Sequence, residues 1–251
     1  MTDVLSFVKN ELGLRAYKDS YLMRRINARM IRRGIRDTEE YLKILQEDKE
    51  EIRALKDALS INVTAFFRNP EVWQKLKEIL EEDDTPIKAW SAACADGREP
   101  YSLAMLCEEI GRDIKIIATD IDEDALAAAR RGVYEDSSVT NLMKELSFIG
   151  NIEKYVEIDG KTFRVKPSIK RKVTFMRHDM IRNAPPASDF DLVLCRNFLI
   201  YIEPEYKPKV TENLYLALKK GGILVLGKTE SLPVEGYFEA VDRINRIYRR
   251  V

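Results

Sequence analysis

Residues Ala89–Ser102 read AWSAACADGREPYS. An apolar, strand-like run enters a short polar loop, which opens into the helix-like stretch EPYSLAMLCEEIG. In a doubly wound α/β sheet such a junction holds the ligand, usually a phosphate cradled by glycines. This loop has one glycine, Gly97, and carries an acid, Glu99. A pyrophosphate needs close backbone approach and no neighbouring carboxylate. The loop therefore disfavours a dinucleotide and suits a ligand that carries positive charge.

Working outward, the alternation continues from Ile87. IKAWSAA, IKIIATDI, KVTFMRHD, FDLVLCRN and GGILVLGK read as strands. Helices fit EPYSLAMLCEEIG, DEDALAAARRG and YKPKVTENLYLALKKGG between them. This order predicts a mostly parallel sheet covered by helices on both faces. The terminal FEAVDRINRIYRRV predicts short strands turning near Asn245, an antiparallel edge. YVEIDGKTFRV, within 152–167, places an Asp-Gly turn between β-prone runs, the signature of an inserted hairpin. The second strand ends in ATDID, and Asp120 follows Gly97 by 23 residues, the usual interval to an acid that binds ribose hydroxyls. Asp122 suits the N-cap of the next helix, which leaves Asp120 for a ligand. S-adenosylmethionine combines ribose, adenine, a sulfonium and an ammonium. The residues alone also leave a nucleotide open.

Residues 1–84 read as a separate helical domain with a linker, and 85–251 as the sheet domain. Apolar residues recur at helical spacing in DVLSFVKNEL, YLMRRINARMIRR and EEYLKILQ. Asn69-Pro70 suggests an N-cap followed by proline at the first helical position. EEDDTP reads as a helix end and linker. The 251 residues carry 42 basic and 42 acidic side chains, so no net charge draws the chain to nucleic acid or membrane. Neither an apolar signal core nor an apolar run near the roughly 18 residues of a span is visible, so a cytoplasmic location is expected. Cys94, Cys107 and Cys195 form no CxxC pair and are expected to be reduced and buried. With His178 the only histidine, no metal site is expected.

Six stretches occur together and in order: INVTAFFRNPEVW, AWSAACADGREPYSLAM, IIATDIDEDALAAARRGVY, VTFMRHDM, FDLVLCRNFLIYIEPE and GGILVLGKTESL. Together they resemble the chemotaxis receptor glutamate methyltransferases, the CheR family. The resemblance implies a Rossmann-like S-adenosylmethionine-dependent methyltransferase sheet, with an N-terminal all-helical domain and a small β-hairpin insertion. It implies methyl transfer to chemoreceptor glutamates, giving methyl esters and S-adenosylhomocysteine. By this match Asn62, Thr64, Arg68, Glu99, Asp120, Asp179, Met180, Arg196 and Asn197 contact the cofactor. Arg68 and Tyr201 lie near the transferring methyl. The plain alternatives are an Arg68–Glu71 surface pair and a packed Tyr201. Three departures stand beside matched positions: Arg98 in GREPYS, Lys228 with Thr229 in GKTES, and IYIEP.

Residues 1–36 hold nine Lys or Arg and three acids. Arg25, Arg29, Arg32 and Arg36 share one stripe if their helix continues through Gly34. A one-sign stripe attracts a negative partner. The resemblance makes that partner the cytoplasmic helical region of chemoreceptors, where nucleic acid would otherwise serve. The chain is expected to act as a monomer, without nucleic acid or membrane insertion. Two other functions compete: a cofactor-sensing docking module without turnover, and a nucleic-acid methyltransferase.

Overall fold

The computed structural model describes residues 3–59, 64–232 and 236–251. The chain divides into two compact units, Met1–Ile61 with Leu199–Lys207, and Asn62–Phe198 with Pro208–Val251.

The first unit contains α1 (Val4–Glu11), α2 (Asp19–Arg32), α3 (Thr38–Glu47) and α4 (Lys49–Leu59). Asp3 and Asp37 cap α1 and α3 by accepting from the backbone of Ser6 and Glu39. Val8, Leu22, Ile26, Tyr41, Leu45 and Leu55 make a shared core. Helix α2 stops before Gly34, whose φ is +71°. The expected stripe therefore ends at Arg32, and Arg36 lies beyond the helix. Arg29 also departs from its expected role. Its Nε and Nη2 donate to the buried Glu51 at 2.9 and 2.7 Å, with Arg33 Nη1 at 2.8 Å and the Tyr41 hydroxyl at 2.7 Å. Four donors on one carboxylate hold its pKa below the ordinary value, chiefly through the Arg29 hydrogen bond. Arg29 is thus a structural partner of Glu51. Helix α4, which supplies Glu51, falls within the region expected to be helical, outside the three periodic stretches named for it.

Segment 199–207 completes this unit. Lys18 N–H donates to the Tyr201 carbonyl at 2.9 Å, and Glu203 N–H to that of Ala16 at 2.8 Å. The Tyr201 ring lies 4.7 Å from that of Tyr21.

The second unit begins ahead of the expected boundary at residue 84. Helix α5 (Pro70–Leu80) buries Val72, Trp73, Leu76 and Leu80 in the core of the sheet unit. EEDDTP is no linker, because Arg112 donates to the carbonyls of Leu80 and Thr85 at 2.6 and 2.8 Å. The apolar face of α5 decides its allegiance, and the acidic run that follows it does not.

Along the chain follow β1 (Ile87–Ala92), α6 (Arg98–Glu109), β2 (Ile114–Asp120), α7 (Glu123–Arg131), β3 (Val133–Glu135) and α8 (Leu142–Leu146). Then come β4 (Val156–Asp159), β5 (Thr162–Val165), α9 (Pro167–Lys170), β6 (Val173–Arg177) and β7 (Phe190–Cys195). Helix α10 (Lys207–Ala217), β8 (Leu218–Leu226), β9 (Phe238–Asp242) and β10 (Ile247–Arg250) finish the chain. Seven strands form one sheet in the order β6-β2-β1-β7-β8-β10-β9. The first five are parallel, and β10 and β9 make an antiparallel edge. The turn near Asn245 is present, built on Asp242, which accepts from the backbone of Ile244 and Asn245. Strand order reverses about β1, so the ligand crevice of such a sheet falls at the carboxyl ends of β1, β2 and β7.

The Asp159-Gly160 hairpin is also present, with Gly160 at φ +58°. It is larger than expected, since β3 pairs with β5 to give a second, three-stranded sheet. Strand β8 starts at Leu218, where the sequence suggested continuing helix. Its register shifts between the pairs Phe190–Leu218 and Leu192–Ile223, a bulge that takes up Gly221 at φ +80°.

Candidate functional site

The opening loop runs from β1 into α6. Ala93, Ala95 and Gly97 have φ of +56°, +48° and +89°. Two left-handed alanines cost about 1–2 kcal/mol each. Such strain concentrates where a site over-determines its backbone. The single glycine serves packing. A Cβ at Gly97 would meet the Ala129 Cβ at 2.8 Å, so glycine lets the loop seat against α7.

Asp120 at the end of β2 fixes this loop. Its Oδ2 accepts from Ala95 N–H at 2.8 Å and its Oδ1 from Asp122 N–H at 3.0 Å. Each oxygen keeps a further lone pair, and burial raises the pKa. Asp122 is the N-cap of α7, accepting from Asp124 and Ala125 N–H. The Asp122 cap is as expected, and Asp120 is the aspartate that anchors the loop.

Glu99, in the first turn of α6, accepts from Ser91 Oγ at 2.9 Å and lies 3.6 Å from Arg196 Nη1. Burial dominates and raises its pKa, against the opposing charges of Arg196 and Arg68. Arg196 follows β7 and is buried. Its Nη2 donates to the Arg68 carbonyl at 2.7 Å and to Asn69 Oδ1 at 3.1 Å. Its guanidinium lies 5.7 Å from the centre of the Trp73 ring, and its Nε has no hydrogen-bond partner among the described residues. Desolvation lowers its pKa. Asn69 does precede α5, but its side chain does not cap the helix, because Arg196 takes it. Glu71, the partner in the plain alternative for Arg68, pairs with Lys228 at 2.8 Å.

Asn197 has φ +62° and donates its N–H to Glu230 Oε2 at 2.9 Å. The same oxygen accepts from Gly227 N–H at 2.6 Å. Buried Glu230 thus ties the ends of β7 and β8 together. Glu230 was not among the expected site residues, although an acid three residues after a strand-end glycine is a usable signal. After β6, Asp179 Oδ1 accepts from Ile181 and Arg182 N–H, and Met180 is buried. The neighbouring His178 N–H donates to the Asp120 carbonyl at 2.9 Å, bringing this turn beside β2. The His178 Nε2 donates to the Ala184 carbonyl at 2.7 Å, a structural use of the ring. Among the described residues no group of three or more His, Cys, Asp or Glu has metal-binding geometry.

Arg68, Glu99, Asp120, Arg196 and Asn197 therefore gather at neighbouring strand ends, with Asp179 and Met180 on the flank. Asn62 lies outside the described residues. Tyr201, Arg25, Arg29 and Arg32 belong to the helical unit. The three cysteines are free and buried, and desolvation pushes the Cys94 and Cys195 thiols up, so neither supplies a thiolate.

Residues 62–246 match the family described as CheR methyltransferase, SAM binding domain, and residues 3–60 match its all-alpha domain. The chain belongs to the CheR methyltransferase family. It is an S-adenosylmethionine-dependent methyltransferase. A chemotaxis protein methyltransferase of Listeria monocytogenes is 33% identical over 90% of this chain and 87% of its own length. One of Borreliella burgdorferi is 29% identical over 92% of this chain and 88% of its own. A 104.1 kDa protein of Rhodobacter capsulatus is 31% identical over 99% of this chain, which spans only 27% of that protein. The junction between the two matched domains falls at residues 60–62, where the compact units divide.

The donor set fits the cofactor. Glu99 is a largely enclosed carboxylate with incomplete compensation, which a ligand ammonium would supply. Asp120 has acceptor capacity for two ribose hydroxyls. Among the described residues no helix is long and apolar enough to cross a membrane.

Proposed function

We propose that this methyltransferase esterifies glutamate side chains in the cytoplasmic helical region of chemoreceptors. The substrate class follows from its similarity to chemotaxis protein methyltransferases along most of their length. The observation that carries the site assignment is the under-compensated Glu99 beside Asp120.

In this reading Asp120 accepts from the ribose hydroxyls and Glu99 faces the amino-acid end. Asp179 and Met180 flank the adenine. Thr64, Arg196 and Asn197 complete the pocket wall, and the family resemblance assigns Asn62 to the cofactor as well. S-adenosylmethionine, when bound, supplies a methyl group on a positively charged sulfur. A glutamate substrate is ionised at neutral pH, with an ordinary pKa of about 4.3, so the protein needs no general base. It must hold that carboxylate in line with the methyl, and alignment of this kind contributes roughly 7–11 kcal/mol. Arg68 orients the carboxylate and offsets its partial desolvation. Exposed Arg32, with Arg25, attracts the acidic face of a receptor helix.

Calorimetric titration with S-adenosylhomocysteine, with NAD as control, tests the pocket. Saturable binding of the first alone is expected. Incubation with labelled cofactor and a receptor cytoplasmic fragment should then give a base-labile methyl ester. Base-stable label, or none on a fragment that binds, would overturn the substrate assignment.

A further inference from the structure

Residues Thr64–Asn69 hold an unfavourable backbone. Phe67 and Asn69 have φ of +47° and +61°, and neither is glycine. A side chain in that region stays there only when its surroundings enforce it. The enforcing contacts come from several elements. Phe67 N–H donates to Ser102 Oγ at 3.0 Å, and the Arg68 carbonyl accepts from Trp73 Nε1 at 3.1 Å.

Two further contacts come from residues that the family match did not single out for a role. Phe66 N–H donates to Glu145 Oε2 at 2.9 Å. Arg98 Nη1 donates to the Thr64 carbonyl at 3.2 Å and lies 3.5 Å from the same Glu145 oxygen. The Arg98 guanidinium lies 5.2 Å from the centre of the Tyr134 ring, and its Nε is 3.3 Å from Asp96 Oδ2. Its charge is therefore committed to Asp96 and Glu145, which explains how an arginine stands beside Glu99 without neutralising it. Glu145 lies on α8, whose first turn is anchored where Leu142 N–H donates to Asp136 Oδ1 at 2.7 Å. Asp136 N–H in turn donates to the Lys161 carbonyl in the hairpin turn. The insertion thus reaches back to the segment that carries Arg68.

We propose that Glu145 and Arg98 form a positioning pair that sets the Thr64–Arg68 segment for cofactor binding. This rests on the reading of Arg68 as a cofactor-contacting residue. Glu145 fixes the segment through an amide and Arg98 through a carbonyl two residues earlier, so Arg68 leaves the clamp in one direction. Neither residue is assigned a contact with cofactor or substrate.

The test is a double-mutant cycle on the full chain, read by calorimetry with S-adenosylhomocysteine. E145A should weaken binding roughly tenfold or more, as small misplacements of a site do. E145Q keeps an acceptor for Phe66 N–H and should recover most of that loss. In the R68A background E145A should have a clearly smaller further effect, because most of its influence passes through Arg68. Hydrogen exchange at the Phe66 amide should rise in E145A and stay low in E145Q. If E145A does not fold, R98A reads the same segment from its carbonyl side and should weaken binding severalfold. Wild-type affinity in E145A or R98A would overturn the proposal, as would an equal loss from E145A with and without Arg68. Wild-type affinity in R68A alone would instead overturn the reading of Arg68, and the positioning proposal would fall with it.

Discussion

Glu51 and Glu99 are both secluded carboxylates beside arginines, one in each compact unit, yet they behave in opposite ways. Glu51 accepts from two nitrogens of Arg29, from Arg33 and from Tyr41, and its pKa is lowered. Glu99 has one hydroxyl donor and an arginine at 3.6 Å, and its pKa is raised. A fully satisfied buried charge serves the fold. An under-satisfied one is held ready for something that completes it. Proximity to an arginine does not separate the two, whereas the number of donors does.

The contrast breaks most visibly at Glu51. Glu51→Ala leaves Arg29 without its buried partner and should cost about 3–5 kcal/mol, read from urea or thermal unfolding. A loss below about 1 kcal/mol would show that the satisfied centre is not structural. Charge reversal at Arg29 should destabilise for the same reason, so receptor docking is tested cleanly only at Arg32. Next in size is Asp120→Ala. Losing acceptors to a ligand should weaken S-adenosylhomocysteine binding by about 1.5–3 kcal/mol, measured by calorimetry. The same change also releases Ala95, so Asp120→Asn, which keeps one acceptor oxygen, should lose less.

Glu99→Gln sharpens the comparison. It should alter stability by less than about 1 kcal/mol, because a poorly compensated charge is removed. Ligand affinity should nevertheless fall about tenfold. The pH dependence of unfolding separates the two acids by sign. With its folded pKa lowered, Glu51 contributes stability fully present above its unfolded value of 4.5 and lost as pH falls through the folded value. With its folded pKa raised, Glu99 binds its proton more tightly in the folded state, so stability declines as pH rises from 4.5 through the folded value. Glu51→Gln should flatten the acid limb, and Glu99→Gln should remove the decline. The smallest effect belongs to Lys228→Ala, which removes a largely solvated pair with Glu71 and should cost under about 1 kcal/mol.

Much of this was readable in the sequence where one local rule acted alone. The Asp159-Gly160 turn, the Asp122 cap and the apolar periods of β1, β2 and β7 each need only neighbours along the chain. Reading failed where long-range partners decided. Asn69 has the composition of a cap, but Arg196, 127 residues away, takes its side chain. The acidic run after α5 resembles a linker, but four buried side chains had already joined the helix to the sheet. Glu51 left a trace, since it shares the helical stripe of Leu55 and Leu59 in α4. An acid on an apolar face asks for partners, and those lay on α2 and α3. Candidate site residues were proposed by motif, whereas Glu145 acts through a backbone amide that no pattern of side chains announces.

The scarcity of glycine between β1 and α6 has a consequence for the thermodynamics of ligand capture. A glycine-rich loop enters its bound shape from many alternatives and gives up that freedom when the ligand arrives. Ala93 and Ala95 have fewer alternatives, so the chain meets their strain once, during folding. Binding then orders little, and more of the contact energy is left as affinity. Glycine at both positions should ease folding and make cofactor binding entropically less favourable, a trade that calorimetric enthalpies and entropies of the two variants will resolve.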